Sequence, residues 1–160
     1  MFKTLLIILF LALALDAKSY KFEEYRYVQA VDVKFKKTGV VFMDKDVISI
    51  TYDAPKYQKV ISSKDGVTID KGEGDVQKLE GRALTYTKVY LELIRELDNV
   101  KNYKDNKNFS VEKYNNTYTL FPKGDKDFRI DKIIIKTNKA EVKSFKMFMT
   151  NEDIIEIVKI

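Results

Sequence analysis

The chain has 160 residues, 45% of them hydrophobic, and a formal net charge of +5, which suits one domain with a real core and leaves no room for two. It contains no Cys and no His, excluding disulfides, thiolate metal sites, Ser/His/Asp and Cys/His catalytic arrangements and the commonest zinc ligand. The basic residues are mostly Lys, scattered beside Asp and Glu; they read either as a solvated surface or as weak steering toward anionic lipid or an acidic partner, and nothing resembles a nucleic-acid-binding block.

The N-terminus reads as an export signal. Lys3 supplies a minimal positive start, Leu5 to Leu15 is an unbroken apolar run, and Ala12-x-Ala14 or Leu15-x-Ala17 offers a cleavage site. The run is shorter than the roughly 20 residues that span a bilayer. Residues 1–17 are therefore expected to be a signal peptide and residues 18–160 a single domain released into a periplasm. No Cys follows the run, so a lipid-modified lipoprotein is excluded.

Phe22 to Phe35 reads as one long strand, with Tyr25, Tyr27, Val31, Val33 and Phe35 on one face and Glu24, Arg26, Asp32 and Lys34 mostly on the other. Lys37-Thr38-Gly39 is expected to turn, and Val40 to Met43 to extend again. Asp44-Lys45-Asp46 turns into Val47 to Asp53, where Ile48, Ile50 and Tyr52 share a face. Ala54-Pro55 interrupts the ladder, since Pro has no N–H to donate. Tyr57 to Ser62 resumes it, and Lys64-Asp65-Gly66 marks a hairpin into Val67 to Asp70. Lys71 to Asp75 is a loop or a short irregular edge.

From Arg82 to Val100 the rhythm changes. Tyr86, Val89, Tyr90, Leu93, Leu97 and Val100 recur at helical spacing, widened by Leu84, Leu91 and Ile94, and Lys88 and Glu92 form an i,i+4 pair opposite them. One amphipathic helix is predicted. Asn102 to Asn108 is a polar connection, and Phe109 to Tyr114 and Thr117 to Phe121 form a hairpin about Asn115-Asn116. Phe128 to Thr137, Val142 to Thr150 and Ile154 to Ile160 complete a meander. Short connections favour antiparallel neighbours. The fold class is therefore mainly β with one helix (α+β): a large curved antiparallel sheet with the amphipathic helix on its concave side.

The segment Gly39 to Ile69, GVVFMDKDVISITYDAPKYQKVISSKDGVTI, together with YTLFP at Tyr118 to Pro122 and the meander carrying FRIDKIIIK and VKSFKMFM, resembles the LolA-type family of periplasmic outer-membrane lipoprotein carriers. Gly39, Tyr52, Pro55, Asp65, Gly66 and Pro122 match its pattern, and all are structural in character. The resemblance implies a half-open β-barrel covered by helix, an apolar cavity for lipoprotein acyl chains, an inner-membrane release complex and an outer-membrane acceptor as partners, and a monomer. The chain departs from the family in three places. Only Lys18 to Tyr20 stand where an amphipathic helix precedes the first strand. Tyr52 stands where Trp is common. Asp44-Lys45-Asp46 replaces the element whose Arg latches the helical cover, and Lys45 would be a weaker, non-bidentate donor there.

On this reading the acyl cavity draws Tyr25, Tyr27 and Val31 from the first strand and Ile48, Ile50 and Tyr52 from VISITYD. Leu84, Tyr86, Val89, Tyr90, Leu93, Ile94 and Leu97 come from the helix, and Phe145, Met147 and Met149 from the meander. Met suits such a lining because it is unbranched and polarisable. The carboxylates Glu23-Glu24, Glu73/Asp75 and Glu152-Asp153-Glu156 fall mostly in turn-like or terminal stretches, where solvation is the ordinary state. No phosphate loop or dinucleotide fingerprint occurs. The expectation is a non-enzymatic carrier without cofactor or metal that moves lipoprotein acyl chains toward the outer membrane; the alternative is an envelope-stress sensor or lipid-binding interaction module on the same fold.

Overall fold

The computed structural model describes residues 17–124 and 129–160; the hydrophobic run of the expected signal peptide and Phe128 lie outside them. Among the described residues eleven strands form one sheet. They are β1 (Lys18–Val28), β2 (Val33–Met43), β3 (Ile48–Ala54), β4 (Gln58–Ser63), β5 (Gly66–Asp70), β6 (Val76–Lys78), β7 (Phe109–Tyr114), β8 (Thr117–Pro122), β9 (Ile130–Asn138), β10 (Glu141–Met149) and β11 (Ile154–Lys159), with one helix, α1 (Gly81–Leu97), between β6 and β7. Every named neighbour pair is antiparallel. The spatial order runs β6-β5-β4-β3-β2-β1-β11-β10-β9-β8-β7. The sheet curves without closing, and α1 packs on its inner face against β3 and β5. The predicted class, mainly β with one helical cover, is the observed one.

The expected long strand from Phe22 to Phe35 is two strands. A short 3-10 turn at Gln29–Val31 reverses the chain, with Asp32 in the left-handed region at φ 48°. Val28 then pairs with Val33. This changes which side chains face inward. Phe22 and Glu24 are fully buried, whereas Tyr25 is 40% exposed. The expected turn at Lys37-Thr38-Gly39 lies inside β2 as a register irregularity between Thr38 and Gly39. A side chain at Gly39 would place its Cβ 2.1 Å from the Thr51 carbonyl oxygen, so the two strands approach this closely only over glycine.

The other turns fall close to expectation. Asp44 N–H donates to the Val47 carbonyl across the β2–β3 turn, and Ser63 pairs with Gly66 around Lys64-Asp65. Tyr114 pairs with Thr117 around Asn115-Asn116. β3 ends at Ala54, immediately before Pro55. The core joins Phe22, Ile48, Ile50, Leu91, Ile94, Leu97, Phe145 and Ile157 in one apolar cluster.

Candidate functional site

Inner side chains of the central strands stand in rows across the sheet. In one row Lys37 lies opposite Glu24, Glu24 opposite Ile157 and Ile157 opposite Phe145. In the next, Phe35 is opposite Arg26, Arg26 opposite Ile155 and Ile155 opposite Met147. The first row is largely packed shut: Glu24 and Ile157 are fully buried and Phe145 is 2% exposed. Over the second row a cavity of about 850 Å³ opens between sheet and helix. Its apolar lining comes from Val89 and Leu93 of α1, Ile130 of β9, Met147 and Met149 of β10 and Ile155 of β11. The volume falls within the range of pockets that hold one small amphiphilic or drug-sized molecule, about 300–1,000 Å³.

The wall between cavity and core is ionic. Arg26 Nε donates to Glu24 Oε1 at 2.6 Å, and the hydroxyls of Tyr52 and Tyr90 both donate to Oε2 at 2.8 Å. Residues two apart on a strand share a face, so Glu24-x-Arg26 puts both charges inward. Burial opposes the Arg26 charge, but the Glu24 carboxylate and the neighbouring phenols outweigh it and hold the guanidinium more firmly protonated than usual. Burial, then the charge of their neighbours, pushes the Tyr52 and Tyr90 phenols well up. The expectation that Glu24 is solvated is thus corrected: it is the acceptor that ties helix to sheet.

The two halves of α1 are held differently. In the C-terminal half Leu91, Leu93, Ile94 and Leu97 are buried, and Arg95 donates from one Nη to the carbonyls of Asp44 and Lys45 at 3.1 and 2.9 Å. Asp98, which caps this end, forms ion pairs with Lys18 of β1 and Lys159 of β11. Here the arginine sits on the helix and the β2–β3 turn supplies acceptors, so Lys45 contributes its carbonyl rather than the ammonium donor expected of it. The N-terminal half has no buried side chain, no side-chain N-cap at Glu80, and a left-handed Gly81 at φ 56°.

The cavity gathers Tyr27, Tyr86, Val89, Tyr90, Leu93, Met147 and Met149 from the expected set. Ile48, Ile50, Tyr52, Ile94, Leu97 and Phe145 do not line it; they fill the adjoining core, each no more than 4% exposed, because the helix lies directly on the sheet there. Leu84 is half-buried against the same core. Val31 is 64% exposed at the reversal. Tyr25 lies on the outer face with Lys36 Nζ 5.5 Å from its ring centre. Gly39, Pro55, Asp65, Gly66 and Pro122 stand at strand irregularities, turns and ends and do not line the cavity. Sequence reading missed Arg26, Phe35, Arg82, Arg129, Ile130 and Ile155. An opposite-charge pair at strand spacing was the signal available for Arg26; the others follow only from how far the helix stands from the sheet.

No family model matches the sequence, and no curated protein matches it. Among solved structures the chain is similar to a DUF1329 family protein from Desulfovibrio piger, with 9% identity, a TM-score of 0.48, and coverage of 91% of this chain and 84% of that one. A likeness so distant bears on neither activity nor ligand.

Proposed function

We propose that this protein is a non-enzymatic periplasmic carrier that shelters the acyl chains of lipoproteins between sheet and helix and passes them toward the outer membrane. The observation that carries this reading is the cavity of about 850 Å³ over Ile130, Met147, Met149 and Ile155, covered by the less firmly held half of α1. The space is a cleft open on one side, lined by apolar side chains with a few polar groups at its edges, the usual form of a site that takes a small ligand. Each methylene moved into it would contribute about 0.8 kcal/mol. The long unbranched Met side chains adapt to chains of varied shape. A cargo bound by burial alone is released only to an acceptor that buries it better; the partners in this reading are accordingly an inner-membrane release complex and an outer-membrane acceptor.

The test is to purify the protein from its native envelope and identify bound acyl species by mass spectrometry, alongside titration with a fluorescent acyl-chain probe. Bound acylated lipoprotein and saturable probe binding are the expected results. Protein that is consistently empty and fails to take up the probe would rule the carrier out.

A further inference from the structure

The cavity is apolar at its floor and cationic at its walls. Arg26, Arg82 and Arg129 all line it, and among the described residues the single lining carboxylate is that of Asp153. That carboxylate is already engaged, accepting from the Gln29 backbone N–H and from Asn151 Nδ2 at 2.9 and 2.8 Å. Arg26 spends only its Nε on Glu24. Its two Nη groups have no protein acceptor among the described residues, and the side chain stays 32% exposed on the cavity side. Arg129 places its guanidinium 5.4 Å from the ring centre of Tyr86, which lines the same space. Arg82 projects from the first turn of α1, and the hydroxyls of Thr85 and Thr150 add polar groups to the lining.

A cavity meant for hydrocarbon alone gains nothing from guanidinium groups in its wall, since each loses hydration when a neutral chain displaces water. Guanidinium forks match carboxylate and phosphate oxygens, and such charge-assisted bonds are stronger than neutral ones. We infer that the preferred ligand is an anionic single-chain amphiphile, its acyl chain over Met147, Met149 and Ile155 and its carboxylate or phosphate head at Arg26 and Arg82. The inference rests on the acyl-cavity reading above but not on a lipoprotein as cargo: a free anionic single-chain lipid takes that place.

The test compares probes that share one chain and differ in head: palmitate, palmitoyl lysophosphatidate and the neutral monopalmitoylglycerol, each competing against a fluorescent acyl probe on the wild-type protein and on Arg82→Gln. The anionic heads should bind about tenfold or more tighter than the neutral one. The preference should shrink with added salt and shrink again in Arg82→Gln. A lead for lysophosphatidate would identify phosphate as the head recognised, and a lead for palmitate would identify carboxylate. Equal binding of all three probes, or a preference that neither salt nor Arg82→Gln alters, overturns the anionic head while leaving the acyl cavity standing. Failure of every probe to bind overturns both.

Discussion

At the scale of single residues, Glu24 decides how helix and sheet are joined. A fully buried carboxylate with one guanidinium and two phenols around it is stable only while its acceptors stay satisfied. Tyr90→Phe removes the donor that the helix contributes and should lower stability at neutral pH by about 1–3 kcal/mol, measured by urea denaturation. Burial raises the Tyr90 phenol, so the folded chain keeps a proton that the unfolded chain gives up near the ordinary value of about 10. The associated stability is complete below that value and is lost as pH rises past it toward the folded-state value. The wild type should therefore weaken in alkali, and Tyr90→Phe should weaken less steeply. Gly39 acts through space alone: Gly39→Ala forces a contact onto the Thr51 carbonyl, and thermal melting should fall by several degrees.

At the scale of elements, α1 is one helix with two grades of attachment. Hydrogen exchange should find amides from Gly81 to Val89 less protected than those from Tyr90 to Leu97, because burial, the Tyr90–Glu24 bond, the Arg95 contacts and the Asp98 ion pairs all fall in the later part. Equal protection would remove the distinction. Glu80 already has the extended backbone of an N-cap but makes no side-chain cap bond, so Glu80→Ser should add about 0.5–2 kcal/mol and slow exchange in the first half. The helix itself was legible because its apolar residues keep a 3.6-residue period, and the hairpins because Asp65-Gly66 and Asn115-Asn116 name their turns. The β1–β2 reversal was hidden: Gln29-Ala30-Val31-Asp32 contains neither Gly nor Pro, and the left-handed position falls to Asp32. Period-2 alternation read straight through that turn puts Tyr25 and Phe35 on one face and Glu24 and Arg26 mostly on the other, whereas across the reversal Phe35 stands opposite Arg26. The cavity was half legible for a related reason. Periodicity identifies the side chains that point inward, but whether Met147 meets a cavity or Ile157 meets packed neighbours depends on helix-to-sheet distance, which no local pattern encodes.

At the scale of the whole molecule, the sheet falls into a run from β1 to β6 and another from β7 to β11, joined where β1 pairs with β11. Asp98 sits at this junction with a side chain 6% exposed, paired to Lys18 and to a Lys159 side chain that is 9% exposed. Asp98→Ala leaves Lys159 buried without its counter-charge and should cost about 3–5 kcal/mol in denaturant unfolding, more than an exposed pair such as Lys143–Glu141, whose removal should cost at most about 1 kcal/mol. The junction also sets an order of assembly. The earliest and the latest of the described strands lie side by side, so each half can form its hairpins locally, but the middle of the sheet waits on a contact between distant parts of the chain. Such contacts slow folding. Until that contact forms, β1 and β11 are both open edges, the kind of surface on which strands of other chains add. Refolding should accordingly show its slowest phase in the pairing of β1 with β11, and its yield should fall as protein concentration rises.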